Sequence, residues 1–513
     1  MRALWPSFAT PHLLDMVSAF VNCFKIPELR QRILFTLMLL VIVRLGSMIP
    51  CPGIDPRVLG EYFKTVLEQQ QQGSVVGLFN LFSGGALENC AIFSLTIMPY
   101  ISASIVMQLA VNVIPQLGKI QREEGGRQKI TQYTRLGTLF LCIVQGYFLA
   151  LSFERPEQIA LLSGIGDVIA RMGPLVPDPG WTFRFVTVVT LTGGTMFLMW
   201  LGEQITDKGI GNGISLIITV GIVAQLPSAL SAAWNIFNPP PGSDQMPLSP
   251  FLIVLLVAFL LGVIAAAITL TQAVRKIPVQ YAKQVRGNRV YGGQSSFLPL
   301  KVNYSGVMPI IFANALLIFP ATFIDLIFGR QEWSGRIIAW FTPGTFFYIL
   351  CSSALVFFFS FFWVAMVFNP NQIADDMKRN GGFIPGVRPG EPTARMLDFA
   401  MTRLTFAGAI FLTVLAVLPM LVQTNLGIPY ITAQFFGGTS LLIIVGVMLD
   451  TMRQTETYLL QRHYDGFLKK GKIRGRSAAP VTSSGQAVPE EKMVWLALII
   501  GLIAAGGVVA SLL

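Results

Sequence analysis

The sequence predicts an all-α polytopic membrane protein: ten core transmembrane helices in two inverted pseudo-symmetric halves, plus an extra C-terminal transmembrane helix. Three observations carry this. Of 513 residues, 53% are hydrophobic and only 12% charged, with a mean hydropathy of +0.63, against roughly 25% charge in soluble domains. Two apolar strings recur in the same order: Gly213-Ile-Ser-Leu-Ile-Ile218 as Gly438-Thr-Ser-Leu-Leu-Ile443, and Met98-Pro-Tyr-Ile-Ser-Ala103 as Met308-Pro-Ile-Ile-Phe-Ala313. Their offsets, 225 and 210 residues, nearly agree, as a duplicated membrane domain requires. Finally, 28 Lys and Arg lie before the first span, in alternate loops and in the tail after the tenth, whereas the opposite loops hold seven. Such asymmetry marks the basic face as cytoplasmic.

Residues 1–32 form a cytoplasmic leader, whose stretch Leu13–Phe24 suits an amphipathic helix on the membrane surface. It lacks the compact apolar core of a cleaved signal peptide, so the first span serves as the insertion signal. Runs of about 20 apolar residues, the length that crosses a bilayer, then follow. The first half (33–232) holds five, at about 33–50, 91–113, 134–153, 183–203 and 212–232. After an external linker (233–249) containing Asn238-Pro-Pro-Pro-Gly242, the second half (250–452) holds five more, at 250–273, 304–327, 346–369, 401–423 and 432–452. An odd number per half makes the second insert upside down relative to the first. With ten spans both the amino terminus and the tail after residue 452 are inside. Residues 453–491 are a cytoplasmic tail and flexible linker, and 492–513 carries the extra helix.

Between the first two spans, Val75–Glu88 is apolar but too short to cross. It contains Phe79, Phe82, Ser83, Gly84 and Gly85, and is either a re-entrant segment or an outer loop. Irregular backbone at membrane depth is tolerated only against protein or a water-filled cavity, so a re-entrant segment would imply a cavity.

Ionisable groups inside the spans are nearly absent: Arg44, Glu203 and Asp450 sit at or near span ends. Ion-coupled carriers need charged or carbonyl ligands at depth, so their scarcity favours a passive pathway for a large, chemically varied cargo. The repeated strings and their immediate neighbours supply Ile97, Ile101, Ile214, Ile218, Ile311 and Ile443, with Ile101 matching Ile311 and Ile218 matching Ile443. A ring of isoleucines makes a narrow constriction that excludes water and ions; ordinary packing is the alternative. Ser102, Ser104, Gln108 and Asn314 lie in the same spans, either as static glue between helices or as weak contacts that let helices part.

Two cytoplasmic loops stand out. Lys276–Lys301 interleaves Arg286 and Arg289 with Tyr281 and Tyr291, and Gly381–Glu391 frames Arg388 with Pro and Gly. Such loops either set topology or dock an acidic protein or RNA. The rigid turns around Arg388 favour docking, because orientation in the membrane needs no rigidity. Cys23, Cys51, Cys90, Cys142 and Cys351 show no paired or metal-type spacing. Gly209-Ile-Gly211-Asn-Gly213 follows no strand and has the wrong spacing for a dinucleotide loop. With no P-loop, nucleophile elbow or Ser/His/Asp set, no cofactor, metal or enzymatic activity is expected, and any energy source is a partner.

These segments resemble the SecY family, the central subunit of the bacterial protein-conducting channel, from about Pro27 to Arg476. The resemblance rests on Phe82-Ser-Gly-Gly-Ala-Leu87, Ile97-Met-Pro-Tyr-Ile-Ser-Ala-Ser104, Gly126-Arg-Gln-Lys-Ile-Thr-Gln-Tyr-Thr-Arg135, Gly194-Thr-Met-Phe-Leu-Met-Trp-Leu-Gly-Glu-Gln204, Gly209-Ile-Gly-Asn-Gly-Ile-Ser215, Leu298-Pro-Leu-Lys-Val-Asn303, Ile384-Pro-Gly-Val-Arg-Pro-Gly-Glu391 and Phe436-Gly-Gly-Thr-Ser-Leu-Leu442. It implies that secretory proteins cross, and membrane proteins enter, the bacterial cytoplasmic membrane between the two halves. The six isoleucines match the pore-ring neighbourhood and 75–88, with Phe79 and Phe82–Gly85, the plug. The second, third, seventh and eighth spans match the lateral gate, with Ser102, Gln108 and Asn314 as its polar contacts. Arg286, Arg289 and Arg388 match the docking loops for the motor SecA and the ribosome.

Implied partners are SecE, SecG, SecA, the ribosome, signal sequences and nascent polypeptides, with YidC, SecDF and the lipid bilayer beside them, and no DNA. Two features depart from the family. Asn288-Arg289 stands where two adjacent arginines are common. The run Met493–Leu513 follows the ten spans, and its Gly501/Ala505 and Gly506/Ala510 pairs form a small-residue packing face. That run reads as an eleventh span with its carboxyl end outside, either packing on protein or anchoring in lipid. Two other classes stay open: a small-solute secondary transporter, and an insertase or scaffold without a through-pore.

Overall fold

The computed structural model describes residues 26–68, 80, 83–156, 165–237, 250–281, 284–286, 289–291, 295–314, 345–426 and 438–469, with short pieces between 316 and 341 and at 433 and 435. The expected surface helix at 13–24, Phe79, Phe82 and the run 493–513 lie outside these residues.

In chain order the helices of the first half are α1 (Pro27–Gly46), α2 (Pro56–Glu68), α3 (Met98–Val113), α4 (Pro115–Arg122), α5 (Gly126–Glu154), α6 (Gly166–Met172), α7 (Trp181–Lys208), α8 (Gly213–Ala224) and α9 (Leu226–Phe237). Then come α10 (Pro250–Gln272), strands β1 (Val274–Tyr281), β2 (Gln284–Arg286), β3 (Arg289–Tyr291) and β4 (Ser295–Lys301), a helical stretch over 308–314, α11 (Phe346–Val367), α12 (Pro370–Arg379), β5 (Gly382–Phe383), α13 (Glu391–Leu426) and α14 (Thr439–Lys469). Among the described residues six helices are long and apolar enough to cross a membrane, seven if α3 and α4 are counted as one bent span.

Several ends differ from the sequence expectation, each for a local reason. The second span is helical only from Met98, because residues 84–97 run through turns with Cys90 and Thr96 at positive φ. Pro99 in the first helical turn and the Thr96 hydroxyl, which accepts from the Met98 N–H at 3.1 Å, start the helix there. At Pro115 the chain bends by 103° into α4, since proline cannot continue the hydrogen-bond ladder. Asn212 caps α8, its Oδ1 accepting from the N–H groups of Ile214 and Ser215. The helix of the tenth span does not end near residue 452: α14 runs unbroken to Lys469.

The two copies of the Gly/Ser string open α8 and α14, and these helices pack against each other. Ile218 and Ile443, from the two copies, belong to one buried cluster beside that contact. α14 also packs on α10, α1 contacts α7 and α8, and α11 contacts α13.

The basic segment 274–303, read from sequence as a loop, is a β-hairpin. β1 pairs antiparallel with β4 from Val274↔Lys301 to Gln280↔Ser295, and β5 adds to the other edge of β1 through Gln280↔Phe383 and Tyr281↔Gly382. The strand order β4-β1-β5 therefore ties the two basic segments together. Beneath the sheet Ile277, Val279, Leu300, Ile384, Leu397 and Met401 form a separate apolar cluster.

Candidate pore and plug site

The largest buried cluster lies where the repeated strings meet. Ile97 ends the turn segment before α3 and Ile101 follows one turn later. Ile214 and Ile218 are four residues apart on α8, hence on one face. Ile311 comes from the 308–314 stretch and Ile443 from the first turn of α14. All six belong to this cluster: five are buried, Ile443 completely, and Ile214 packs half-buried on its edge. Side chains from four segments, from 93 (Ile218 to Ile311) to 346 (Ile97 to Ile443) residues apart in sequence, thus converge on one apolar centre.

The chain from Ser83 to Thr96 approaches that centre. Ser83, Ala86, Leu87, Ala91 and Ser94 are buried although the backbone there is irregular. Side chains meet the buried backbone groups in the way such a segment requires. Ser83 Oγ donates to the Asn80 carbonyl at 2.9 Å, Asn80 Oδ1 accepts from Glu88 N–H at 3.2 Å, and Ser94 Oγ donates to the carbonyl of Ala91 at 2.6 Å. The described part of this segment is thus irregular backbone buried against protein, with its polar groups met by side chains.

Between the segment and the cluster is a cavity of about 30 Å³, lined by Arg44, Ser47, Ser83, Thr96, Ile97, Ile218 and others. That exceeds the roughly 10–15 Å³ a water needs, and its wall is polar on the side of α1 and apolar on the side of the isoleucines.

Of the residues expected at the gate, Asn314 is buried beside Ala313 of the core cluster, and Ser102 and Gln108 on α3 are half-buried. Gln108 Nε2 donates to Ser104 Oγ at 3.3 Å, a contact along α3 rather than between helices. Arg286 and Arg289 are paired in register at the tip of the β2–β3 hairpin, a two-stranded sheet separate from β4-β1-β5. Arg388 is exposed in a turn held by Gly386 (φ +84°), Gly390 (φ +102°) and the Thr393 hydroxyl, which donates to the Arg388 carbonyl at 2.8 Å.

Sequence reasoning noted Arg44 only as an ionisable group near a span end and passed over Gly221, yet both line the cavity wall. An arginine within an apolar span was the available signal; nothing marked Gly221.

A family model described as SecY matches residues 91–452. The protein translocase subunit SecY of Escherichia coli K12 is 44% identical over 452 residues, which is 87% of this chain and 96% of the relative. Among solved structures, one described as "The structure of a protein conducting channel" superposes with a TM-score of 0.59 at 18% identity, covering 88% of this chain and 99% of the other. A second, concerned with the plug domain of a SecY protein and the closed state of its channel, gives 0.56 at 18% identity over the same shares. These two structures share the fold, ten helices in two halves, and the sequence match carries the assignment: the chain belongs to the SecY family.

Proposed function

We infer that this chain is the protein-conducting channel of a translocase in the bacterial cytoplasmic membrane. It passes unfolded secretory proteins across that membrane and releases membrane segments into it. The observation that carries this is the convergence of Ile97, Ile101, Ile214, Ile218, Ile311 and Ile443 in one buried cluster where the repeats meet. In the closed state they form the constriction, 75–88 is the plug that covers it, and α3 with the 308–314 stretch flanks the lateral gate, where Ser102, Gln108 and Asn314 act. The amino terminus is cytoplasmic. The β4-β1-β5 sheet and the β2–β3 hairpin, with Arg286, Arg289 and Arg388, are the docking platform for SecA or the ribosome, which supply the push. SecE and SecG are companion subunits, and YidC and SecDF are further partners. Residues 492–513 add an eleventh span beyond the two halves (33–232 and 250–452).

A photoreactive residue replacing Ile101, Ile218 or Ile443 in turn tests this, with a stalled secretory polypeptide as cargo and a lipid-facing position such as Phe185 as control. Crosslinks from all three sites and not from the control are expected. Silence at all three, with SecA or ribosomes bound, would leave a scaffold without a through-pore as the better account.

A further inference from the structure

Arg44 has no part in the function above, yet it lines the cavity that the plug turn shares with Ile97 and Ile218. Its Nη1 donates to the Gly84 carbonyl at 2.8 Å. Gly84 and Gly85 both have left-handed backbone, at φ +63° and +84°, so the chain reverses sharply there and turns that carbonyl towards α1. The other side of the turn is seated on α8. A Cβ at Gly84 would stand 2.7 Å from Gly221 Cα, 2.8 Å from the Gly221 carbonyl oxygen and 3.1 Å from Arg44 Nη1. Gly84 is therefore held between a guanidinium and a glycine backbone, a fit that admits no side chain at position 84. Gly221 lies three residues beyond Ile218 on α8, and both line the cavity that Arg44 and Ser83 share.

A guanidinium within a span is costly unless its donors are met by backbone carbonyls, other polar groups or water. Here a turn carbonyl takes one donor, no carboxylate is among the residues lining the cavity, and the cavity has room for water beside the others. If Arg44 only reached for a membrane surface, its donor would not face the turn.

We propose that Arg44 is a positioning residue that latches the plug turn: its charge-assisted hydrogen bond to the Gly84 carbonyl keeps the turn seated on Gly221 and so holds the resting channel shut. Cargo must break this one bond, together with the Gly84–Gly221 contact, before the segment can leave. The latch rests on the plug role given to residues 75–88 above.

The test is resting conductance, without cargo, of the full-length channel purified with its co-purifying subunits and placed in planar bilayers. Arg44→Met, Arg44→Lys and Gly221→Leu are compared with the parent. Loss of a charge-assisted hydrogen bond shifts a closed–open ratio by about tenfold or more, so Arg44→Met should leak at least about tenfold more. Gly221→Leu, which fills the seat, should leak too, and Arg44→Lys, which keeps a charged donor, should restore most of the seal. A structural role alone would not make the seal follow the donor.

Should purification of Arg44→Met fail, Ser83→Cys labelling by a membrane-impermeant maleimide in whole cells takes its place. Labelling should rise in the Arg44→Met background and not with Arg44→Lys. If Gly221→Leu leaks while Arg44→Met stays as tight as the parent, the plug stands and the latch falls. If neither variant leaks, the plug role fails and the latch with it.

Discussion

Arg184 and Glu154 show how a residue pair fixes two long helices. The end of α5 meets the start of α7 there, with Nε to Oε2 at 2.6 Å and Nη2 to Oε1 at 2.9 Å, while the guanidinium also lies 5.4 Å from the Trp181 ring centre. Two parallel charge-assisted bonds fix direction as well as distance, and the aromatic face adds a cation–π contact. Glu154→Gln keeps the shape but removes the charge. A thermal midpoint a few degrees lower is expected for the detergent-purified channel, followed by light scattering; an unchanged midpoint would mean that Trp181 alone suffices. At this scale the sequence was legible in part. Four of the isoleucines could be chosen because the repeat pairs Ile101 with Ile311 and Ile218 with Ile443, and Ile97 and Ile214 lie one turn away from them. The partner of Arg44 could not, because Gly84 is 40 residues away and only the folded turn aims its carbonyl.

The apolar runs that become helices were readable from composition, because a span must satisfy its backbone within itself. What escaped were structures made by distant pairing. β5 is two residues long and gains its meaning from β1, and no local signal joins Gln280 to Phe383. The sheet depends on the small cluster under it, in which Leu397 is fully buried. Leu397→Ala should cost about 2–5 kcal/mol locally, and trypsin should cut the 274–303 segment faster in inside-out vesicles while the spans stay intact. An unchanged digestion rate would show that the strand pairing holds without the cluster. A cap is tested in the same spirit. Asn212→Ala leaves the Ile214 and Ser215 N–H groups without their acceptor, at a cost of about 1 kcal/mol, and amide exchange should quicken over the first turn of α8. Exchange as slow as in the parent would mean that other groups take over the cap.

At the scale of the whole molecule, α14 joins the two halves. It packs on α10 of its own half and on α8 of the other, and its extension past the expected end of the tenth span makes polar contacts across the seam. Gln454 Oε1 accepts from the Gly211 N–H at 3.0 Å, with 243 residues between them. Arg32 of α1 lies 5.1 Å from the Tyr458 ring centre and donates through Nη1 to the Gly209 carbonyl at 3.4 Å. Gly209-Ile-Gly-Asn-Gly213, which carries no nucleotide chemistry, thus offers backbone groups to both halves. On its own half Arg453 Nη2 donates to the Thr271 carbonyl at 2.9 Å, which steadies α14 against α10. A channel whose halves must part needs contacts of moderate strength at the seam, and a few hydrogen bonds beside an apolar face meet that need. Gln454→Leu removes one of them, about 1 kcal/mol, and should move the equilibrium between joined and parted halves by about fivefold. Spin labels on the exposed positions Asp207 and Glu456 report this by pulsed dipolar spectroscopy: the longer-distance population should grow in the variant. An unchanged distribution would place the seam's strength in the apolar contact of α8 with α14, and opening would then be limited by the isoleucine cluster itself.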